Sequence, residues 1–147
     1  MLGTVTDHDE APARAALAFV RENSHAVLIT IRADGGLQSS PVAAGVDDSD
    51  RIVVSTPSRT AKAHNLRRNP HGSLCVVTAQ WFGPWVHVDV TAEVVGMPDA
   101  LPLLEAYYRS VAGEHPDWDE FRSVMIAEDR VLLRLTPGRA AGPGAVG

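Results

Sequence analysis

Cysteine is nearly absent: Cys75 is alone among 147 residues. No disulfide can therefore form within the chain, and a thiolate-rich structural zinc site is excluded. Long apolar runs are missing as well, since none approaches the roughly 20 residues of a spanning helix. Positive charge is scarce. Thirteen Lys and Arg face eighteen Asp and Glu, giving a net charge of −5, and an acidic chain opposes broad binding to nucleic acid or anionic membranes. There is no Walker loop, no G-x-S-x-G elbow and no H-x-x-x-H among the six histidines. The letters GPGAVG (142–147) match G-x-G-x-x-G, but no strand and helix flank them, so they read as a tail. The opening MLGTVTDHDE is acidic and polar, unlike a secretory or transit leader, and predicts a cytoplasmic protein.

What is present is a soluble, globular composition, 45% hydrophobic and 21% charged. It predicts one domain over 1–137 and a disordered tail over 138–147. APARAALAFVRE (11–22) has helical apolar spacing, with Asp7 or Asp9 as cap and Pro12 in the first turn. Strands are expected at 26–33, 37–46, 51–56, 73–80, 85–97 and 130–136, with Pro41 marking an edge or bulge. A small helix follows Thr60, and two more cover 100–113 and 117–128. Asp117 and Glu120 have capping-box spacing. Short turns between successive strands imply antiparallel pairing, hence a mainly β, α+β meander or barrel.

The basic segment STPSRTAKAHNLRRNP (55–70) contrasts with the acidic whole. A strand ends at Ser55-Thr56 and a helix begins near Thr60. Unpaired N–H groups at such a start attract anions. Lys62 falls in the first turn, where a cation opposes the helix dipole by a few tenths of a kcal/mol unless an anion sits beside it. With the hydroxyls of Ser55, Thr56, Ser58 and Thr60, this predicts a phosphate cradle. Arg67 and Arg68 fall in the last turn, where cations suit the dipole. His87 and Asp89 share a strand face and read as a hydrogen-bonded pair. His64 reads as a helix-surface residue and Cys75 as buried core. No metal site is expected. Trp81, Phe82 and Trp85 flank a Gly83-Pro84 turn and read either as core or as cover for a flat ligand or partner. Tyr107, Tyr108, Trp118 and Phe121 read as packing residues.

TAKAHNLRRNP after VVST, together with ADGGLQSSPV, resembles the flavin/deazaflavin oxidoreductase superfamily, the split-barrel group that includes pyridoxamine 5'-phosphate oxidase. YRSVAGEHPDWDEFRSVMIAEDRVLLRL (108–135) resembles its actinobacterial branch that uses the deazaflavin coenzyme F420. The resemblance spans about 12–136. It implies a split β-barrel homodimer of the FMN-binding type, with cofactors between subunits. It further implies that Gln38, Ser40, Ser55, Thr56, Thr60, Ala61, Lys62, Asn65 and Trp85 line the cofactor, with Lys62 on its phosphate. No side chain is assigned to catalysis. FMN-using members carry basic residues where this chain has Ser40, Gly45 and Ala61. With Lys62 alone left of that set, a singly charged phosphodiester, as in F420, is favoured over the dianionic phosphate of FMN. The function implied is an F420-dependent reductase passing a hydride to a conjugated small-molecule acceptor. The alternatives are an FMN oxidase or reductase and a non-catalytic F420 carrier.

Overall fold

The computed structural model describes residues 7–145, with side chains from Glu10 onward. Helix α1 (Asp7–Glu22) starts earlier than its apolar spacing predicts, so Pro12 lies inside it. Then follow β1 (His25–Ile31), β2 (Leu37–Ala43), β3 (Gly45–Val46) and β4 (Ile52–Pro57). Helix α2 (Ala61–Arg68) leads to β5 (His71–Val77) and β6 (Trp85–Val95). Helices α3 (Ala100–Ala112) and α4 (Trp118–Ala127) precede β7 (Arg130–Ala141) and a 3₁₀ turn, Pro143–Ala145.

The strands form one sheet in the order β2-β1-β5-β6-β7-β4-β3, with every pair antiparallel. The segment expected as one strand, 37–46, is two. Ala44 leaves the ladder and bonds through its N–H to Ser24 O at 2.7 Å. β2 then pairs with β1 and β3 with β4, so strands one residue apart occupy opposite ends of the order. That is possible only because the sheet curls until its ends meet. Pro41, with no N–H to give, sits on the edge strand β2, where its lack is harmless.

One face of the curled sheet holds Leu28, Ile52, Val54, Leu74, Val86, Val88 and Leu133, all at most 1% exposed, closed by Leu17 and Val20 of α1. A second cluster, Val53, Leu104, Phe121 and Leu132, packs α3 and α4 on the opposite face of β4 and β7. Strict alternation in β6 puts Val86, Val88 and Val90 inside and His87, Asp89 and Thr91 outside. Cys75 stands opposite Val27 and His87 on the outer face and is only half-buried, so it is not core. Its neighbours Leu74 and Val76 take the inner positions, and period two sends it outward.

The expected tail is also structured as far as it is described. β7 continues beyond Thr136, pairing Ala140 with Val88 and Ala141 with His87 after a bulge near Val90. Ala145 is buried against the core that includes α1. The run PGRAAGPGA reads as breaker-rich, yet Pro137 sits at the irregularity between Val88 and Val90, where a missing donor costs little.

Candidate functional site

β4 and β7 run side by side, with Pro57 opposite Arg130 and Ser55 opposite Leu132. The chain leaves β4 at Pro57, and Ser58 N donates to Asp129 O (2.9 Å), tying the turn to the start of β7. Alternation sends Ser55 and Thr56 to opposite faces. Thr56 is 1% exposed, and its Oγ1 lies 2.9 Å from Thr60 Oγ1, which also bonds Pro57 O at 3.1 Å. These bonds of the two threonines fix the turn. Ser58 is committed as well, since Arg67 donates to its carbonyl (2.8 Å) and to its hydroxyl (2.6 Å).

Thr60 occupies the N-cap of α2 without a side-chain cap bond, and no acid lies in the first turn. The first N–H groups of α2 therefore lack a side-chain cap. Lys62, the only lysine of the sequence, lies one residue into this turn. Burial lowers its pKa, and the Arg130 guanidinium lowers it further. Among the described residues no carboxylate lies within ion-pair distance of Lys62, Arg59, Arg67, Arg68 or Arg139, whereas the other cations have one. Four of these five cations thus lie between 59 and 68. Arg67 and Arg68 are nonetheless occupied by backbone and side-chain acceptors, Arg68 bonding Ile31 O and Asn65 Oδ1.

Arg130 is the member of this cluster that sequence reasoning missed. Its Nη1 donates to Ser55 Oγ at 3.2 Å, and its Nε donates to Glu128 Oε1 at 2.9 Å, with Nη2 within ion-pair distance of the same oxygen. Among the described residues, at least two of the five guanidinium N–H groups are left without an acceptor. No local pattern marks Arg130, because it meets Ser55 and Lys62 only through the β4–β7 ladder. Arg130, opposite Pro57 on the ladder, thus stands near the Lys62 turn as a second cation. Beside it a cavity of about 300 Å³ opens between α3, α4 and the strands, lined by Ser55, Tyr107, Phe121, Met125 and Arg130 among others. Burial raises the pKa of Tyr107, with the nearby Ser55 backbone and Arg130 opposing, and its hydroxyl donates to Ala43 O (2.8 Å).

The other expected residues sit across the sheet. Gln38 and Ser40 of β2 pair with Thr30 and Leu28 of β1, which face the interior. Asn65, on the buried side of α2, donates to Thr30 Oγ1 at 3.0 Å and so pins the helix over this end of β1. Ser40 Oγ is buried and has no partner among the described residues, a state that costs about 1–3 kcal/mol unless some group fills it. Ala61 opens α2 and is exposed. Trp85 is not brought to these residues within one chain. It pairs with Val77, whereas Thr30 is opposite Gly72 and Gly72 opposite Val90. Five residues of strand, about 17 Å, separate the two ends. Trp81, Phe82 and Trp85 are exposed rather than core. His87 Nε2 and Asp89 Oδ1 lie 2.9 Å apart, the hydrogen-bonded pair expected. His64 is on the helix surface.

In the segment that carries the branch resemblance, Glu128 and Arg130 apart, Arg109, Glu114 and Asp117 are engaged at the α3–α4 corner. Glu114 accepts from Arg109 Nε (2.8 Å) and Trp118 Nε1 (3.1 Å), and the Arg109 guanidinium lies 4.2 Å over the Trp118 ring. Asp117 accepts from Glu120 N at 3.1 Å, the forward half of the expected capping box. Tyr108, His115, Trp118 and Phe121 stack edge to face or tilted around the α3–α4 corner.

A curled antiparallel sheet with an anion-competent turn between β4 and α2 is matched by the family model described as pyridoxamine 5'-phosphate oxidase, over residues 13–142. The chain belongs to the pyridoxamine 5'-phosphate oxidase family. Solved structures agree on the split-barrel fold. A conserved hypothetical protein from Mycobacterium tuberculosis is 25% identical, covering 86% of this chain and 80% of that one, with a TM-score of 0.69. An F420 reductase is 18% identical over 84% of this chain and 94% of its own, with a TM-score of 0.65. A haem storage protein from Vibrio cholerae is 18% identical over 84% and 89%, with a TM-score of 0.59. The same fold is thus found in a protein named as an F420 reductase and in one named as a haem storage protein. Among the described residues, no helix of this member is long and apolar enough to cross a membrane.

Proposed function

We propose that this protein is a cytoplasmic, F420-dependent reductase acting as a homodimer on a conjugated small molecule such as an enone. The observation that carries the reading is Lys62: half-buried, without a carboxylate partner among the described residues, beside a second cation, at an uncapped helix start. A cation without a carboxylate partner, near a second cation, favours an anion beside it. The residues therefore suit a phosphate. When bound, reduced F420 supplies the hydride, and the protein supplies position. Lys62 and the free N–H groups of Arg130 would hold the phosphodiester, and the Thr56–Thr60 pair fixes the turn that carries Lys62. The Asn65–Thr30 bond keeps α2 seated above β1. Gln38 and the unpartnered Ser40 hydroxyl offer polar contacts on the inner face of β2.

Dimerisation is part of the proposal. The outer sheet face carries Ile29, Ile31 and Leu37, the last 66% exposed, around a groove of about 440 Å³. An uncovered apolar strip of this kind is a contact surface for a second copy. Trp85, remote from Lys62 in its own chain, would then reach the site from the partner.

An FMN protein is the second reading, favoured by Arg130, because two cations weaken the inference from cation scarcity. Parallel fluorescence titrations with F420, FMN and haemin decide among them. F420 binding at micromolar concentration, with protection of Lys62 from an amine-acylating reagent, supports the first. No F420 binding by the purified protein ends it.

A further inference from the structure

We infer that Glu128 sets the charge preference of the cradle, keeping it suited to a monoanionic phosphodiester and against a dianionic phosphate. The inference rests on reading the Lys62 turn as a phosphate site. Glu128 is the C-cap of α4, where no basic residue lies in the last turn. A carboxylate at a helix C-terminus opposes the dipole, so capping does not account for it. Its Oε1 instead accepts from Arg130 Nε at 2.9 Å and lies within ion-pair distance of Nη2, while Arg130 reaches Ser55 with Nη1. Lys62 and Arg130 bring two positive charges and Glu128 removes one. A phosphodiester neutralises the remainder. A phosphate monoester would leave one negative charge without a partner in a partly desolvated site. Glu120, the carboxylate that lines the adjoining cavity, stands at the opposite end of α4 from Glu128, about 12 Å away along the helix. His115 also lines that cavity, against the aromatic corner.

Glu128→Gln keeps the acceptor for Arg130 and removes the charge. One charge shifts affinity by about tenfold per ligand charge in such a setting, so a dianion gains about tenfold more than a monoanion on the same frame. The clean probes are FMN and its phosphate methyl ester, which share the ring and differ by one phosphate charge. Flavin-fluorescence titrations at pH 8 should show the ester binding wild type at least as well as FMN. In Glu128→Gln the order should reverse, with FMN gaining about tenfold relative to the ester. Arg130→Gln in the Glu128→Gln background should cancel that gain. An unchanged FMN-to-ester ratio in Glu128→Gln overturns the inference. So does failure of both flavins to bind either protein. A separate F420 titration reads the cofactor assignment: F420 binding that needs Lys62, with an unchanged flavin ratio, sinks the selector alone. A shifted flavin ratio without F420 binding sinks the cofactor assignment alone.

Discussion

Replacing Lys62 with Met should weaken the ligand and strengthen the empty fold. The side chain's charge meets no carboxylate among the described residues, and burial and Arg130 both push its pKa down from the ordinary 10.5. A lysine whose folded pKa is depressed holds its proton more tightly in the unfolded chain. Charged Lys62 therefore destabilises the fold below its folded pKa, and the penalty fades as pH rises through that value toward 10.5. Because the group is partly exposed, the gain from Lys62→Met is below about 1 kcal/mol at neutral pH. Losing the charge-assisted contact to phosphate costs about 1.5–3 kcal/mol, or roughly 10- to 150-fold in Kd. Thermal melts of both proteins from pH 6 to pH 10, with and without F420, test the two halves together. The variant should melt higher when empty at pH 7, converge with wild type at the alkaline end, and lose most of the ligand-induced rise. A variant that melts lower and binds F420 as wild type does would show that Lys62 is a surface residue paired with something else.

Asn65→Ala leaves Thr30 Oγ1 without its donor in a buried place, and should cost about 1–3 kcal/mol in urea unfolding. Truncation after Pro137 removes the Ala140 and Ala141 rungs on β6 and the buried Ala145. It should cost about 2–4 kcal/mol at roughly one per lost hydrogen bond, whereas a neutral result would make the tail dispensable. Leu37→Glu places a charge on the exposed outer strip and should convert a dimer to a monomer in light scattering. A wild-type protein that is monomeric at tens of micromolar refutes the dimer.

Much of this architecture is legible in the chain because its signals are local. The Val86–Val90 alternation, Pro41 on an edge and the Asp117–Glu120 cap each follow from a few neighbouring residues. Misreadings arise where a distant partner decides. Ala44 breaks one expected strand only because its two halves find different neighbours. Cys75 looks internal by composition, and register alone turns it outward. Residues 138–145 look like breakers, yet β6 is long enough to offer them rungs. In the cradle, Lys62 is conspicuous in sequence as a cation in a first turn. Arg130 is invisible there, because its approach to Ser55 spans 75 positions.

Most of the segment that makes the sequence look like the F420 branch does not touch the cradle; within it only Glu128 and Arg130 would bear on the choice of cofactor. Glu114, Asp117 and Trp118 are spent on the α3–α4 corner, through bonds to Arg109 and Glu120 and an aromatic stack. Their match argues for the scaffold and leaves the ligand open. On the proposal made above, cofactor choice falls to the local charge around the β4–α2 turn, where one substitution at Glu128 or Lys62 changes the sum by a full unit. A scaffold so arranged can keep its fold while its ligand changes, which agrees with a reductase and a haem storage protein sharing it. The assignment of this member therefore depends on the arithmetic of Lys62, Arg130 and Glu128 more than on the length of the match. Measuring affinity against ligand charge, one flavin frame at a time, addresses that arithmetic directly.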